Sequence, residues 1–314
     1  MTRALVFPGQ GSQHVGMGRA LHDAFAPARE VFEEVDDALG QSLSHLMFEG
    51  PEEELRLTAN AQPALMAVSM AIVRCLEADG HSVTEIASHV AGHSLGEYSA
   101  LAAAGALSLA DTARLLRIRG EAMQKAVPVG KGAMAAVLGL DLDAVRAIAE
   151  AASHGEDDIC AVANDNAPGQ VVISGHIGAV ERAMELAKEK GARRAVPLPV
   201  SAPFHSPLMA PAAEAMRTAL AEAEIAAPAV PVIANVTAAP EREAETIRRL
   251  LVEQVTGMVR WRESVAGFRA LGIDRVAELG AGRVLSGLVR RIDRELAVSN
   301  VEDPAGLEAF AADL

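Results

Sequence analysis

The stretch His89-Val90-Ala91-Gly92-His93-Ser94-Leu95-Gly96-Glu97 constrains this chain more than any other. A short apolar run enters Gly-x-Ser-x-Gly, and an Ala/Leu-rich segment with helical character, residues 97–104, leaves it. Strand, sharp turn and helix in that order lift a serine hydroxyl out at the top of a sheet. The turn is tight, so a Cβ at Gly92 or Gly96 is expected to collide with its neighbours. Ser94 also stands at a helix N-terminus, where free N–H groups favour developing negative charge. Serine is equally a good helix cap. The elbow by itself therefore leaves both a nucleophile and a capped turn open.

With 314 residues, half of them apolar and 22% charged, the chain is long and apolar enough for a large core and one inserted subdomain. Aromatics make up only 3% and the formal net charge is −14, which argues against nucleic acid and anionic membranes as partners. Cys75 and Cys160 each lie in an apolar run and read as buried free thiols of a reducing compartment. The first apolar run stops at Pro8-Gly9, too soon for a secretory signal. No stretch reads as a membrane span of ~20 apolar residues. A soluble, cytoplasmic protein is expected.

Residues 4–7 read as a buried strand leading into Pro8-Gly9-Gln10-Gly11-Ser12-Gln13. The pattern Gly9-x-Gly11-x-x-His14 lacks the third glycine of a dinucleotide fingerprint. Backbone N–H groups offered to an oxyanion suit this turn, provided it faces Ser94. Residues 15–57 carry much of the acidic charge and show no chemistry. A long apolar helix runs from 58 to about 76, with Pro63 in its first turn and Gln62 beside it. Ser108 opens another helix, with Asp111 as an N-terminal charge. On it Leu109, Leu116 and Met123 form an apolar arc that continues to Leu115 and Ala122. Arg114, Arg117, Glu121 and Lys125 fall opposite, whereas Arg119 falls inside the arc. An inward guanidinium needs an acceptor, because an unpaired buried charge costs several kcal/mol. A structural carboxylate and a ligand both satisfy that need.

Residues 128–198 read as an insertion. Strands at 133–140, 159–163, 170–174 and 195–198 alternate with helices at 143–152 and 179–190, the ferredoxin-like order. Asn164-Asp165-Asn166-Ala167-Pro168-Gly169 supplies the turn between the middle strands. Ser201-Ala202-Pro203-Phe204-His205-Ser206-Pro207 follows, a proline-held loop that presents His205. A strand over 231–236 contains Asn235. Beyond it come a helix with Gln254, the sole Trp261, and a last strand at 276–279 entering Gly280-Ala281-Gly282, a packing turn. A glycine turn separates His89 from His93, which speaks against a metal pair.

Taken together, Phe7-Pro8-Gly9-Gln10-Gly11-Ser12-Gln13, Gly92-His93-Ser94-Leu95-Gly96-Glu97, Arg119-Gly120 and Pro203-Phe204-His205 resemble the malonyl-CoA:acyl-carrier-protein transacylases of fatty-acid synthesis, essentially end to end. The resemblance implies an α/β-hydrolase-like large subdomain (1–127 and 199–314) with a ferredoxin-like insertion (128–198). It implies malonyl-CoA and acyl carrier protein as partners, no cofactor and no metal, and a monomer is expected. Ser94 matches the nucleophile, His205 its base, and the amides of Gln10 and Leu95 the oxyanion donors. Arg119 matches the grip on the malonyl carboxylate. Gln254, through its carbonyl, and Asn235 match the segments that orient the histidine. Gln62, Asn164, Phe204 and Met123 match the pocket. The bulk of Phe204 is expected to disfavour methylmalonyl-CoA.

An α/β-hydrolase usually places an acid between its serine and histidine, and none stands out here. A carbonyl dipole can hold the imidazole instead, which thioester exchange tolerates because thiolates leave readily. Arg193, Arg290 and Arg291 are candidate docking charges for an acidic carrier. Three alternatives stay open: a thioester hydrolase on the same fold, a malonyl transferase of a polyketide synthase or malonate decarboxylase system, and a docking module with an inert Ser94.

Overall fold

The computed structural model describes residues 2–200 and 202–314; Met1 and Ser201, the first residue of the expected His205 loop, lie outside the described residues. The chain begins with strand β1 (Arg3–Phe7). Helices α1 (Arg19–Ala24), α2 (Ala26–Leu39), α3 (Leu43–Glu49) and α4 (Glu52–Leu55) lead to α5 (Thr58–Ala78). After α6 (Val83–Ile86) come β2 (His89–Gly92), α7 (Gly96–Ala103) and α8 (Leu109–Ala126). The next stretch is β3 (Gly132–Leu138), α9 (Leu142–Ala152), β4 (Cys160–Ala167), β5 (Gln170–His176), α10 (Ile177–Glu189) and β6 (Arg194–Pro197). The chain then continues through α11 (Ala210–Glu222), β7 (Val232–Ile233), β8 (Pro240–Glu241), α12 (Ala244–Thr256) and α13 (Trp261–Ala266). It closes with β9 (Arg275–Leu279), α14 (Val284–Ile292), β10 (Ala297–Val301) and α15 (Pro304–Ala312).

The protein is a mixed α/β molecule with two sheets. The larger has the order β10-β9-β1-β2-β7-β8, parallel throughout except for the β7–β8 pair. Its inner strands β1 and β2 are buried along nearly their whole length because both faces are covered. Alternate residues of β1 enter different cores: Leu5 and Phe7 join one, Ala4 and Val6 the other. Val90 and Ala91 of β2 divide in the same way. In parallel strands the C-terminal ends share one edge, so the segments after β1, β2 and β7 emerge together. The site forms there.

The smaller sheet, β4-β5-β3-β6, is antiparallel. Ala135, Val137, Val171 and Ile173 on one of its faces pack with Val145 and Ile148 of α9 and Val180 of α10. The turn assigned to residues 164–169 is shorter than expected. Strand β4 continues through Asn164, Asp165 and Asn166 to Ala167, with register shifts on either side of Asn164-Asp165. Tertiary partners override the turn propensity of these residues. Asn164 bridges Val259, Asp165 pairs with Arg262 at 2.8 Å, and Asn166 Oδ1 lies 2.8 Å from His93 Nε2. The three contacts fasten the smaller sheet to the body.

Other expectations need correction. Pro63 lies in the second turn of α5, since the helix starts at Thr58. The strand expected over 231–236 shrinks to β7, because Asn235 turns toward Ser94. Helix α5, at 21 residues, is long and apolar enough to cross a membrane, contrary to the reading of the sequence. Nearly all of it is buried in the core, which explains its composition. Cys75 and Cys160 are free and buried, and desolvation pushes their thiols up to about 11 and about 12.

Candidate active site

Ser94 occupies the turn between β2 and α7 with φ 54°, a left-handed conformation rare outside glycine. The flanking glycines permit it. A Cβ at Gly92 would stand 1.9 Å from the Gly96 carbonyl carbon, and one at Gly96 would stand 2.2 Å from the Phe7 oxygen. Asn235 fixes the turn from the next strand: its Oδ1 accepts from the Ser94 amide at 2.7 Å, and its Nδ2 donates to the Gly92 carbonyl at 2.7 Å. Asn235 therefore holds the serine and makes no hydrogen bond to the histidine it was expected to orient.

His205 is also left-handed, with φ 54°, in the loop before α11. Its Nε2 lies 2.7 Å from Ser94 Oγ. Its Nδ1 lies 2.8 Å from the Gln254 carbonyl and 3.2 Å from that of Gly257. Carbonyls only accept, so Nδ1 carries the proton and Nε2 is the acceptor facing the serine. Gln254 belongs to the last turn of α12, where carbonyls lack intrahelical partners and the helix dipole is negative. A helix C-terminus thus occupies the place of the missing acid. Burial, and secondarily the Arg119 cation, push the imidazole down to about 3.

Arg119 projects from α8 and is buried. Its Nη1 donates to Gln62 Oε1 at 2.8 Å, and its Nη2 to Gln254 Oε1 at 2.7 Å and Ser94 Oγ at 3.1 Å. All three acceptors are neutral oxygens, and Nε has no partner among the described residues. The guanidinium sits 5.7 Å from the Tyr98 ring centre. Gln62 is held in turn by Thr58, whose hydroxyl also donates to the Gln10 side chain at 2.7 Å. A buried cation with only neutral acceptors is poised for an anion.

Ser94, His205, Arg119, Gln62 and Leu95 line one cavity of about 370 Å³ with Gln10, Asn164, Phe204 and Met123. Among the described residues neither the Gln10 nor the Leu95 amide donates a hydrogen bond within the chain. Met134, Leu198 and Val200 add an apolar wall, and exposed Arg56 adds a cation, within the segment where no chemistry was expected. Arg193, Arg290 and Arg291 lie outside the cavity. Arg290 donates to the Val298 carbonyl, and Arg291 to Gln170 and the Pro168 carbonyl.

Sequence reasoning also missed Glu97. Its Oε2 accepts from the Asn235 amide at 3.0 Å and from Gln254 Nε2 at 2.8 Å. Burial pushes its carboxyl up to about 7. Its presence in the wholly buried helix α7 was the available signal.

A sequence profile described as "Acyl transferase domain" matches residues 4–302. The chain is 48% identical over 305 residues to a malonyl CoA-acyl carrier protein transacylase of Bacillus subtilis, covering 97% of this chain and 95% of that one. The crystal structure of an acyl-carrier-protein-S-malonyltransferase from Bartonella henselae superposes with a TM-score of 0.97 at 56% identity, covering 100% of this chain and 99% of the other. A malonyl-transacylase solved in complex with a type II PKS acyl-carrier protein gives a TM-score of 0.96 at 43% identity, with both chains covered completely. The chain belongs to the acyl transferase domain family, among the malonyl CoA-acyl carrier protein transacylases.

Proposed function

We propose that this acyltransferase moves a malonyl group from malonyl-CoA to the phosphopantetheine thiol of acyl carrier protein through a malonyl-serine intermediate. The observation that carries the reading is the position of Ser94 Oγ, within hydrogen-bonding distance of both His205 Nε2 and Arg119 Nη2. His205 Nε2 takes the hydroxyl proton as Oγ attacks the thioester carbonyl. The oxyanion forms against the unused amides of Gln10 and Leu95. The C–S bond then breaks, and the CoA thiolate takes the proton from the imidazolium, which the end of α12 stabilises. The carrier thiol repeats the sequence in reverse order, giving its proton to His205 and leaving with the malonyl group.

Arg119 selects the substrate. A malonyl carboxylate gives its guanidinium a charged partner, whereas an acetyl group leaves it with neutral oxygens. Partial cancellation of the Arg119 charge also relieves one of the causes, after burial, that hold His205 down, so the right substrate raises the basicity of its own catalyst. Phe204 crowds an α-methyl branch, and weak use of methylmalonyl-CoA follows.

In this reading the larger sheet is an α/β-hydrolase-like subdomain (1–127 and 199–314). The four-stranded sheet, with its β-α-β-β-α-β order, is a ferredoxin-like insertion (128–198). The enzyme works as a cytoplasmic monomer without metal or cofactor, and Arg193, Arg290 and Arg291 face the carrier. The test is intact-mass and peptide analysis after exposure to malonyl-CoA. One malonyl group is expected on the Ser94 peptide, discharged by carrier protein and absent in Ser94→Ala. Label elsewhere, or label that persists with carrier present, overturns the reading. Loading rates with fatty-acid and polyketide carriers decide which is served, and steady release of free malonate without carrier would favour a hydrolase.

A further inference from the structure

Gln254 has a side-chain amide whose two ends have opposite chemistry, and its neighbours sort them. The Nε2 end faces two acceptors, Glu97 Oε2 at 2.8 Å and the Ser94 carbonyl at 3.0 Å. The Oε1 end faces one donor, Arg119 Nη2, at 2.7 Å. A flipped amide would set NH₂ against guanidinium and oxygen against both the Glu97 carboxyl and the Ser94 carbonyl, three mismatched contacts in a buried site. The same Glu97 oxygen takes the Asn235 amide, so a single carboxyl grips both residues that brace Ser94. The Glu97 carboxyl bonds neither Ser94 nor His205; only its backbone amide reaches Ser94, donating to that carbonyl at 3.1 Å.

We propose that Glu97 is a positioning residue for substrate selection: by accepting from Gln254 Nε2 it keeps the amide oxygen toward Arg119 and so aims the guanidinium into the cavity. The inference rests on Arg119 being the carboxylate grip. Glu97 supplies an acceptor, which a glutamine at the same place also supplies. A side chain without an acceptor, or with one drawn back by a carbon, leaves the amide held only by the Ser94 carbonyl, which loosens it and lets the guanidinium swing.

The experiment is single-turnover self-acylation of the full chain with malonyl-CoA and acetyl-CoA, for Glu97→Gln, Glu97→Met, Glu97→Asp and Arg119→Ala, with thermal melts to confirm folding. The malonyl-to-acetyl rate ratio is expected to stay within about threefold of wild type in Glu97→Gln and to fall at least about tenfold in folded Glu97→Met or Glu97→Asp, through the malonyl rate. A folded Met or Asp variant that keeps the ratio overturns the proposal, as does an equal loss with both thioesters or a Glu97→Gln that loses the ratio. If Arg119→Ala itself keeps the malonyl preference, the grip reading falls too. If Arg119→Ala loses it while the Glu97 variants keep it, only this inference fails.

Discussion

Ser94 and His205 meet at 2.7 Å across 111 residues of sequence, and each holds a backbone φ of 54°. Two non-glycine residues in left-handed conformations face one another at the proposed reacting centre. Neither conformation is locally favoured, and each costs roughly 1 kcal/mol that surrounding contacts must offset. For Ser94 those contacts are the Asn235 bracket and the close packing of Gly92 and Gly96. Removing the hydroxyl and removing the strain are separable. Ser94→Gly is expected to be more stable than Ser94→Ala by about 0.5–1 kcal/mol, and both are expected to be inactive. Urea denaturation midpoints measure the difference, and an Ala variant as stable as the Gly variant would mean that the turn carries no strain.

Replacing Arg119 tests the selectivity of the site. Arg119→Met keeps most of the volume and removes the charge. Malonyl-CoA kcat/KM is expected to fall by at least about a hundredfold, with a much smaller change for acetyl-CoA, because acetyl never supplied the guanidinium with a partner. The loss of the cation also removes one of the causes, after burial, that depress His205. Competition between the two thioesters for Ser94, read by mass spectrometry, gives the ratio directly.

Much of this site was legible in the sequence because its chemistry resides in local patterns. Gly92-x-Ser94-x-Gly96 specifies its own backbone, and Arg119 betrays itself by breaking an apolar helical arc. Glu97, Arg56 and the hydrogen bonds of Asn235 to the Ser94 turn were hidden for a common reason. Their importance depends on which strand ends share an edge, and local periodicity does not report that. The residues 164–166 failed in the other direction. Their composition is that of a turn, yet partners at Val259, Arg262 and His93 hold them in a strand.

Glu97 and His205 have opposite effects on the pH dependence of stability. The Glu97 pKa rises from 4.5 to about 7 on folding, so its contribution is complete below pH 4.5 and is lost as pH climbs through 7. His205 falls from 6.5 to about 3, so the unfolded chain binds the extra proton and stability drops as pH falls below 6.5. Glu97→Gln removes only the first effect. The melting temperature of this variant relative to wild type is expected to improve from pH 4.5 to pH 7 and to level off above. A difference that stays flat across this range would show that the carboxyl titrates normally.

The seam between the sheets rests on Asp165 and Arg262, whose side chains are 2% and 35% exposed. The carboxylate is the buried partner, so removing the arginine strands a charge. Arg262→Ala is expected to cost about 2 kcal/mol, less than for a fully buried pair because solvent reaches the guanidinium. Adding Asp165→Ala to Arg262→Ala is expected to recover part of that loss, since it removes the stranded charge. Chemical denaturation of the two single variants and the double variant completes the cycle.

Carrier docking is the least local property proposed for this chain. A protein of net charge −14 repels an acidic partner at long range, so productive encounter requires a positive patch strong enough to reverse the field locally. The three candidate arginines are unequal in this respect. Arg291 donates to Gln170 and the Pro168 carbonyl at the β4–β5 turn, so its reversal also disturbs the smaller sheet. Arg290 is tied to the Val298 carbonyl. Arg193 is exposed and makes no side-chain hydrogen bond among the described residues, so its reversal changes the surface field with little structural consequence. Arg193→Glu is therefore expected to raise the carrier KM several-fold at low salt while leaving self-acylation by malonyl-CoA unchanged, and the difference is expected to fade as salt screens it. Transfer rates at varied carrier and salt concentrations measure both, and a carrier KM that ignores the reversal would place the docking face elsewhere.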